Sequence, residues 1–486
     1  MDNNDLLKEF DLLLEKYQKI DLEYKNNKIY SDLFLIYSDL FNICPSVIIA
    51  IKAQEADRCL NRINFNDKVF FKEASSNKKI ICTPLNDQSF LHSNSVKSKI
   101  ENGKLFISSK INKDEISNNY ILSFNNKYKN SDLFNIAIIL HNIKYGCLVV
   151  SNNKKTQKTY KVKISILGLD FDNLNFSKLF LIKLILNASD ILNFLKIEIL
   201  DLHETTTFNN SLIEYIFDLN TYDYDDKFLD FCDFNNVFLL NYFTDNIEPI
   251  TFKLYQSNYE IKTANNQSLI NPRLYNFHGL YLYKNQTNKS LYSKSFFKEN
   301  LTIDDRKNTK DSYWEFDYPN KISFEFNLGH DIDNYKNIKV FGEAFWQQDL
   351  SNIKFDRQIY MFSNNKPCFS ISSLCINASY NDSKIIYNRL LKILNISDKV
   401  RLVQEDIKFL LDFFIKNDKS IFYKLKKFIN KIDIELVDGN YHMILFLSEY
   451  SKDYHCLLGF FTKLLEKLFS VVLPFFYKYN IEVKYK

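Results

Sequence analysis

Two periodicities divide this chain, and the point where one replaces the other limits the folds open to it. From residue 65 onward apolar side chains come in short runs parted by Asn, Ser and Lys loops; Val69-Phe70-Phe71, Leu105-Phe106-Ile107 and Tyr120-Ile121-Leu122 are examples. This strand-like texture runs to residue 376, interrupted by a helical pattern over 176–194 and a polar insert over 200–232. After residue 384 the helical period takes over. Residues 384–394, 406–416 and 420–430 read as amphipathic helices. Residues 431–437 and 441–448 then make a strand pair turning at Asp438-Gly439-Asn440, and a helix over 455–468 precedes a closing strand over 481–485. At the other end, residues 5–17 place Leu6, Phe10, Leu13, Leu14 and Tyr17 on one helical face, and residues 32–41 and 46–61 continue the helical texture past Pro45. The expected class is α+β and multidomain: an N-terminal helical region (1–65), a β-rich domain with one long helix and a polar insert (66–232), a second β-rich region (233–380) and a C-terminal α+β domain (381–486).

Size and composition agree with several cores. At about 150 residues per domain, 486 residues make about three. A hydrophobic content of 46% with 16% aromatics excludes a disordered chain. The 63 basic and 59 acidic residues are intermixed, so no single-sign field steers the protein toward nucleic acid, and only seven of the basic residues are Arg.

Glycine is the sharper exclusion. Eight occur in 486 residues, and the nearest two, Gly329 and Gly342, are thirteen apart. Phosphate-cradling loops need close-set glycines to bring backbone amides to the phosphate, so dinucleotide and P-loop binding by the usual motifs are set aside. The eight cysteines form no Cys-x-x-Cys pair and the chain opens on the acidic Met1-Asp2-Asn3-Asn4-Asp5, which together predict reduced, mostly buried thiols in a cytoplasmic protein. The longest apolar stretches, 179–195 and 468–477, are interrupted by Lys183, Asn187 and Asp190 or are too short for the ~20 residues of a membrane span.

Catalytic patterns are weak, and the expectation is a protein that is not an enzyme, with no catalytic residue, cofactor or metal. His203-Glu204 opens HETTT and lacks the second histidine of a zinc helix. His455 and Cys456 are neighbours, which on a helix point about 100 degrees apart. Tyr222-Asp223-Tyr224-Asp225-Asp226 gathers three carboxylates without calcium-loop spacing, so a solvated loop is its plain reading.

Residues 235–261, NNVFLLNYFTDNIEPITFKLYQSNYEI, carry the most information. An apolar run leads into Asn241-Tyr242-Phe243, a polar turn ends in Glu248-Pro249, and alternation resumes from Ile250 to the strand around Tyr259. The order resembles the central signature of the TssF (ImpG/VasA) family, the wedge proteins of the type VI secretion baseplate, with Asn241, Phe243, Glu248, Pro249, Ile250 and Tyr259 on the pattern. Downstream the resemblance continues through residues 275–283, Trp314 in Tyr313-Trp314-Glu315, and 339–350 with Asp349 and Leu350. Upstream it takes in residues 67–85 and 163–192. Departures stand at Gln347 and Gln348 where the family has Asn-Arg, at Ser351 where it has Pro, and at Phe316 where Arg is expected. The richness in Asn, Lys, Ile and Phe is similar to the divergent version of the family carried by Francisella-type islands.

The resemblance implies a structural subunit that dimerises and joins a TssG-like subunit as a 2:1 wedge. It further implies contacts with a TssK-type adaptor and with TssE-like and VgrG spike hub proteins, in the cytoplasm at the inner-membrane secretion complex. No nucleic acid and no direct membrane insertion are expected. Two apolar faces are the candidate interfaces: Leu6, Phe10, Leu13, Leu14 and Tyr17, which otherwise pack on the chain's own core, and Phe460, Phe461, Leu464, Leu465 and Leu468, beside a closing strand with a free edge. Against this stands a second class, a non-enzymatic or cryptic secreted effector of the same secretion system.

Overall fold

Val47, Ile48, Ile49 and Ile51 put four β-branched residues into six, and β-branched side chains lose rotamer freedom in a helix but pack well on a pleated surface. The segment is accordingly a strand, Val47–Lys52, where a helical continuation over 46–61 was expected. The computed structural model describes residues 38–42, 44–53, 60, 62–90, 96–111, 119–124, 130–152, 157–169, 176–200, 211–219, 232–253, 256, 258–284, 287–290, 292–293, 313–317, 320–325, 338–351, 353–362, 367–376, 383–399, 401–448, 454–473 and 477–485. They fall into two compact units, one drawn from 1–42 and 242–349, the other from 43–241 and 350–486.

In the larger unit, Val47–Lys52 belongs to a closed barrel whose order continues through Asn236–Leu240, Lys79–Pro84, Val69–Lys72, Gln358–Met361 and Pro367–Cys375. Val47 stands opposite Leu240 on one side and Cys375 on the other. All five residues of Asn236–Leu240 are buried, so after Asn236 the strand reads as a continuous apolar run and not as an alternation. The barrel takes strands from 47–84, 236–240 and 358–375, and the divisions expected after residues 65 and 232 both cut through it.

Beside the barrel lies a ten-stranded sheet, ordered Arg62–Ile63, Gln88–Ser89, Asn119–Phe124, Phe194–Ile199, Gln157–Ile166, Tyr145–Asn152, Ser211–Asp218, Lys104–Ile111 and Lys97–Glu101, with Cys232–Asp233 pairing off the path. Ser211–Asp218 falls in the stretch expected to be a polar insert. Its alternation is plain once placed: Ile213, Tyr215 and Phe217 are buried while Leu212 and Asp218 are exposed. Two helices pack on this unit's core, Asn130–Ile143 and Lys178–Asn187. The first was not anticipated in a region read as strands. The second begins at a Ser177 cap, whose Oγ accepts from the Phe180 amide at 3.0 Å, and it ends at Asn187 rather than continuing to 194. A 3₁₀ turn, Ser189–Asn193, follows it, and strand Phe194–Ile199 begins directly after.

The C-terminal part follows its expected order closely: helices Ser383–Ser397, Gln404–Phe414 and Ile421–Phe428, the hairpin Ile429–Val437 and Asn440–Leu447, helix His455–Val472 and strand Lys478–Tyr485. Asp438 and Gly439 both take positive φ, at 49° and 73°, which is the primed turn that matches strand twist. Lys478–Tyr485 pairs parallel to Asn440–Leu447 and forms one edge of the three-stranded sheet. The multidomain α+β class is that of the structure.

The smaller unit contains a short helix, Ser38–Phe41, and two sheets. The first runs Phe243–Asn246, Lys339–Gln348, Pro272–Lys284 and Thr287–Ser290, with Ile250–Thr251 also on Lys339–Gln348. The other runs Asn258–Glu260, Lys321–Glu325, Tyr313–Asp317 and Tyr292–Ser293.

Candidate assembly surfaces

The chain leaves the barrel at Asn241, whose side chain is buried and whose amide donates to the Ser46 carbonyl at 2.9 Å. It then enters strand Phe243–Asn246, where burial alternates, and Phe243 stands opposite Trp346. Both aromatics are buried. Asp245 is the polar centre of this corner. One carboxylate oxygen, Oδ2, accepts from Thr263 Oγ1 at 2.5 Å and from Asn265 Nδ2 at 2.9 Å, while the Asp245 carbonyl accepts from Trp346 Nε1 at 3.3 Å. Such a buried carboxylate is tolerated because hydrogen bonds replace its water.

The signature residues have separate roles. Glu248 and Pro249 are exposed, with the Glu248 amide donating to Lys262 O at 2.8 Å; Pro249, having no amide hydrogen, stands just before the strand resumes at Ile250. Tyr259 is buried and closes its own loop, its hydroxyl accepting from the Lys253 amide at 2.8 Å and donating to the Lys253 carbonyl at 3.1 Å. Trp314 lies opposite Phe324 in the Tyr313–Asp317 strand. Asp349 pairs with Arg273 at 2.8 Å, and Leu350 is buried. Among the departures, Gln348 has a task of its own: it is buried and its Nε2 donates to Ile270 O at 2.9 Å. Gln347 and Ser351 are half-buried.

Two further features belong to the smaller unit. Asn42 Nδ2 donates to the Tyr275 carbonyl at 2.6 Å and the Tyr275 hydroxyl donates to Asp39 at 3.1 Å, so the described end of the N-terminal region is tied to the sheet. Tyr275 also meets Tyr242 edge to face, and Tyr242 stacks on Phe345. On the same strand pair, the cross-strand neighbours Tyr281 and Phe341 are both exposed, at 44% and 39%. The stripe Leu6, Phe10, Leu13, Leu14 and Tyr17 lies outside the described residues.

The C-terminal candidates require a correction. Phe460, Phe461, Leu464, Leu465, Leu468 and the adjoining Phe469 are all buried within their own unit, against the helices at 130–143 and 178–187 and the closing strand. Phe461 stacks on Phe422 at 5.5 Å, and Phe469 meets Tyr479 edge to face. The surplus of apolar residues exists because this helix is covered from several sides, so the six are core and not exposed surface. The neighbouring edge is also partly guarded, since Glu466 Oε1 accepts from the Ile481 amide at 2.8 Å.

One half-buried titratable group had no signal in the sequence. His141 accepts the Ile166 amide hydrogen on Nδ1 at 3.3 Å and lies edge-on to Phe460. Burial, together with Lys467, Lys144 and Lys463, pushes its pKa down to about 4. Of the catalytic patterns, His203, Glu204 and the run 222–226 lie outside the described residues. His455 and Cys456 begin a helix. Among the described residues no group of three or more His, Cys, Asp and Glu is placed to hold a metal, and no helix is long and apolar enough to cross a membrane.

Set beside known proteins, the sequence matches no family model and no curated protein. The fold does have a counterpart. A chain of the type VI secretion system TssK-TssF-TssG baseplate subcomplex, solved by cryo-electron microscopy, superimposes with a TM-score of 0.64 at 9% identity, covering 99% of this chain and 96% of that one. At that identity the likeness is one of fold, and it extends over both chains almost completely.

Proposed function

We propose that this protein is a structural subunit of a type VI secretion baseplate, and specifically its TssF-like wedge component. The observation that carries the reading is the end-to-end coverage of both chains in the fold match. A shared domain would cover part of each chain; coverage of 99% and 96% means that the whole domain succession is common. Among the three proteins of that subcomplex, the ordered series Asn241, Phe243, Glu248, Pro249, Tyr259, Trp314, Asp349 and Leu350 selects TssF. In its richness in Asn, Lys, Ile and Phe the chain resembles the divergent Francisella-type version, IglH.

On this reading two copies join one TssG-like subunit, the wedges surround a VgrG spike hub with a TssE-like protein, and a TssK-type adaptor links them to the membrane complex from the cytoplasm. The chain does no chemistry in this role. Co-expression with the TssG-like protein of the same genome, followed by native mass measurement, tests it: a 2:1 complex is expected. Failure to associate, or a stable 1:1 species, would count against the wedge. A secreted effector would instead purify alone as a soluble monomer.

A further inference from the structure

Three residues on one surface of the larger unit break local rules of secondary structure. Gly459 is the first. It sits inside the helix His455–Val472, is exposed, and a Cβ added there would meet nothing within 4 Å, so neither backbone conformation nor packing calls for the most helix-weakening residue after proline. Lys144 is the second: it follows the helix Asn130–Ile143 with φ at 66°, a left-handed position that favours Gly or Asn. Third, Lys178 occupies the first turn of Lys178–Asn187, where the helix dipole favours a negative side chain.

These positions converge. Lys463 and Lys467 follow Gly459 at four-residue steps on the exposed face of its helix, and the charges acting on Lys467 are those of Lys178, Lys463 and Lys144. Lys467, Lys144 and Lys463 also act together on His141. Helix His455–Val472 packs against both Asn130–Ile143 and Lys178–Asn187, so four lysines are gathered where the three helices meet, and all four are exposed. Local rules broken together on one exposed surface point to a functional role.

We propose that Gly459, Lys463 and Lys467, flanked by Lys144 and Lys178, form a docking stripe for an acidic segment of a partner protein, with Gly459 admitting close backbone approach. Charge complementarity fixes the sign of the partner. Its class follows from the helix itself. A bilayer surface would need apolar side chains to insert, but Phe461, Leu464, Leu465 and Leu468 are buried in the core and Val471 is the one large apolar residue of this helix that is exposed. Nucleic acid would favour Arg forks, and all four cations are lysines. This surface does not depend on the baseplate reading.

The full chain can be titrated with a fluorescein-labelled helical peptide of Glu and Ala, and separately with vesicles of phosphatidylcholine and phosphatidylglycerol. Peptide binding that weakens steeply with salt is expected, with a loss of roughly tenfold or more in the double variant Lys463→Glu, Lys467→Glu. Gly459→Ala should raise the melting temperature while weakening the peptide, a combination that a structural glycine would not produce. The double variant's melting temperature, expected to stay close to that of wild type because both side chains are exposed, confirms that it is folded. Equal binding by wild type and double variant, absence of peptide binding at low salt, or capture of vesicles without the peptide would each overturn the proposal.

Discussion

The imidazole of His141 is held neutral by its surroundings, and this couples folding to pH. Its pKa falls from 6.5 to about 4, so between those values the unfolded chain binds a proton that the folded chain refuses. The contribution is therefore complete above pH 6.5 and is lost as pH falls toward 4, amounting to about 3 kcal/mol by that point. His141→Gln keeps an acceptor for the Ile166 amide and removes the titration. Urea midpoints for the two chains should lie close together at neutral pH and separate as pH drops toward 4, the variant keeping the higher one, and parallel curves would show that other groups carry the acid sensitivity. Asp245 makes a second case: Asp245→Ala orphans the Thr263 and Asn265 donors and should cost about 2–4 kcal/mol, read by denaturant melts. Residues differ in how far sequence exposes them. Phe243 and Tyr259 stand out because bulky side chains at alternating positions announce an inward face. His141 does not, because its anchor is a backbone amide 25 residues away that no local pattern encodes.

At the level of elements, Asn187 decides where a helix stops. Its Nδ2 donates to the carbonyls of Lys183 at 2.8 Å and Phe414 at 2.7 Å, its Oδ1 accepts from the amides of Lys416 at 2.9 Å and Asn417 at 3.2 Å, and its own carbonyl accepts from Asn417 Nδ2 at 2.8 Å. One side chain thus serves the ends of both Lys178–Asn187 and Gln404–Phe414. Asn187→Leu leaves these groups buried without partners and should lower stability by about 3–5 kcal/mol, whereas Asn417→Ala, which removes a donor to the Asn187 carbonyl and Cys375 Sγ and an acceptor for the exposed Lys419 amide, should cost about 1–2 kcal/mol; urea unfolding separates them. The apolar texture on both sides of Asn187 predicts a helix to residue 194, because the partners that end it lie more than two hundred residues downstream. Val47–Lys52 was hidden for a related reason. Flanked by helical texture, a strand buried at every position but Ile51 has no alternation to display, and its β-branched content was the available sign. Hairpin 429–447 was legible because its turn chemistry is local.

For the molecule as a whole, long-range pairing is what the sequence conceals. The barrel closes only when residues 47–84 meet 236–240 and 358–375, so composition can indicate β-rich regions on either side of residue 232 without revealing that they share one barrel. The last 33 residues, 454–486, raise the opposite question, since their apolar face was expected as a candidate interface while the fold makes it core. Helix His455–Val472 and strand Lys478–Tyr485 bury Leu457, Phe461, Leu464, Leu465, Leu468, Phe469, Tyr479 and Ile481 within the larger unit. At about 1.5–3 kcal/mol for each large apolar side chain, their removal forfeits more than 10 kcal/mol, comparable to the whole stability of an ordinary domain. Deleting 454–486 is therefore expected to leave an insoluble or molten larger unit, seen as loss of cooperative melting by circular dichroism, and it would not report on assembly. The edge itself can be tested without harming the core. Glu466 occupies the outward amide of Ile481, so Glu466→Ala frees that donor and should cost about 1–2 kcal/mol while the chain stays folded. If copies join through this edge, sedimentation velocity should show the variant associating at lower concentration than wild type, because strand addition no longer has to displace a carboxylate. Unchanged sedimentation, with the stability loss present, would place the contact between copies elsewhere on the chain.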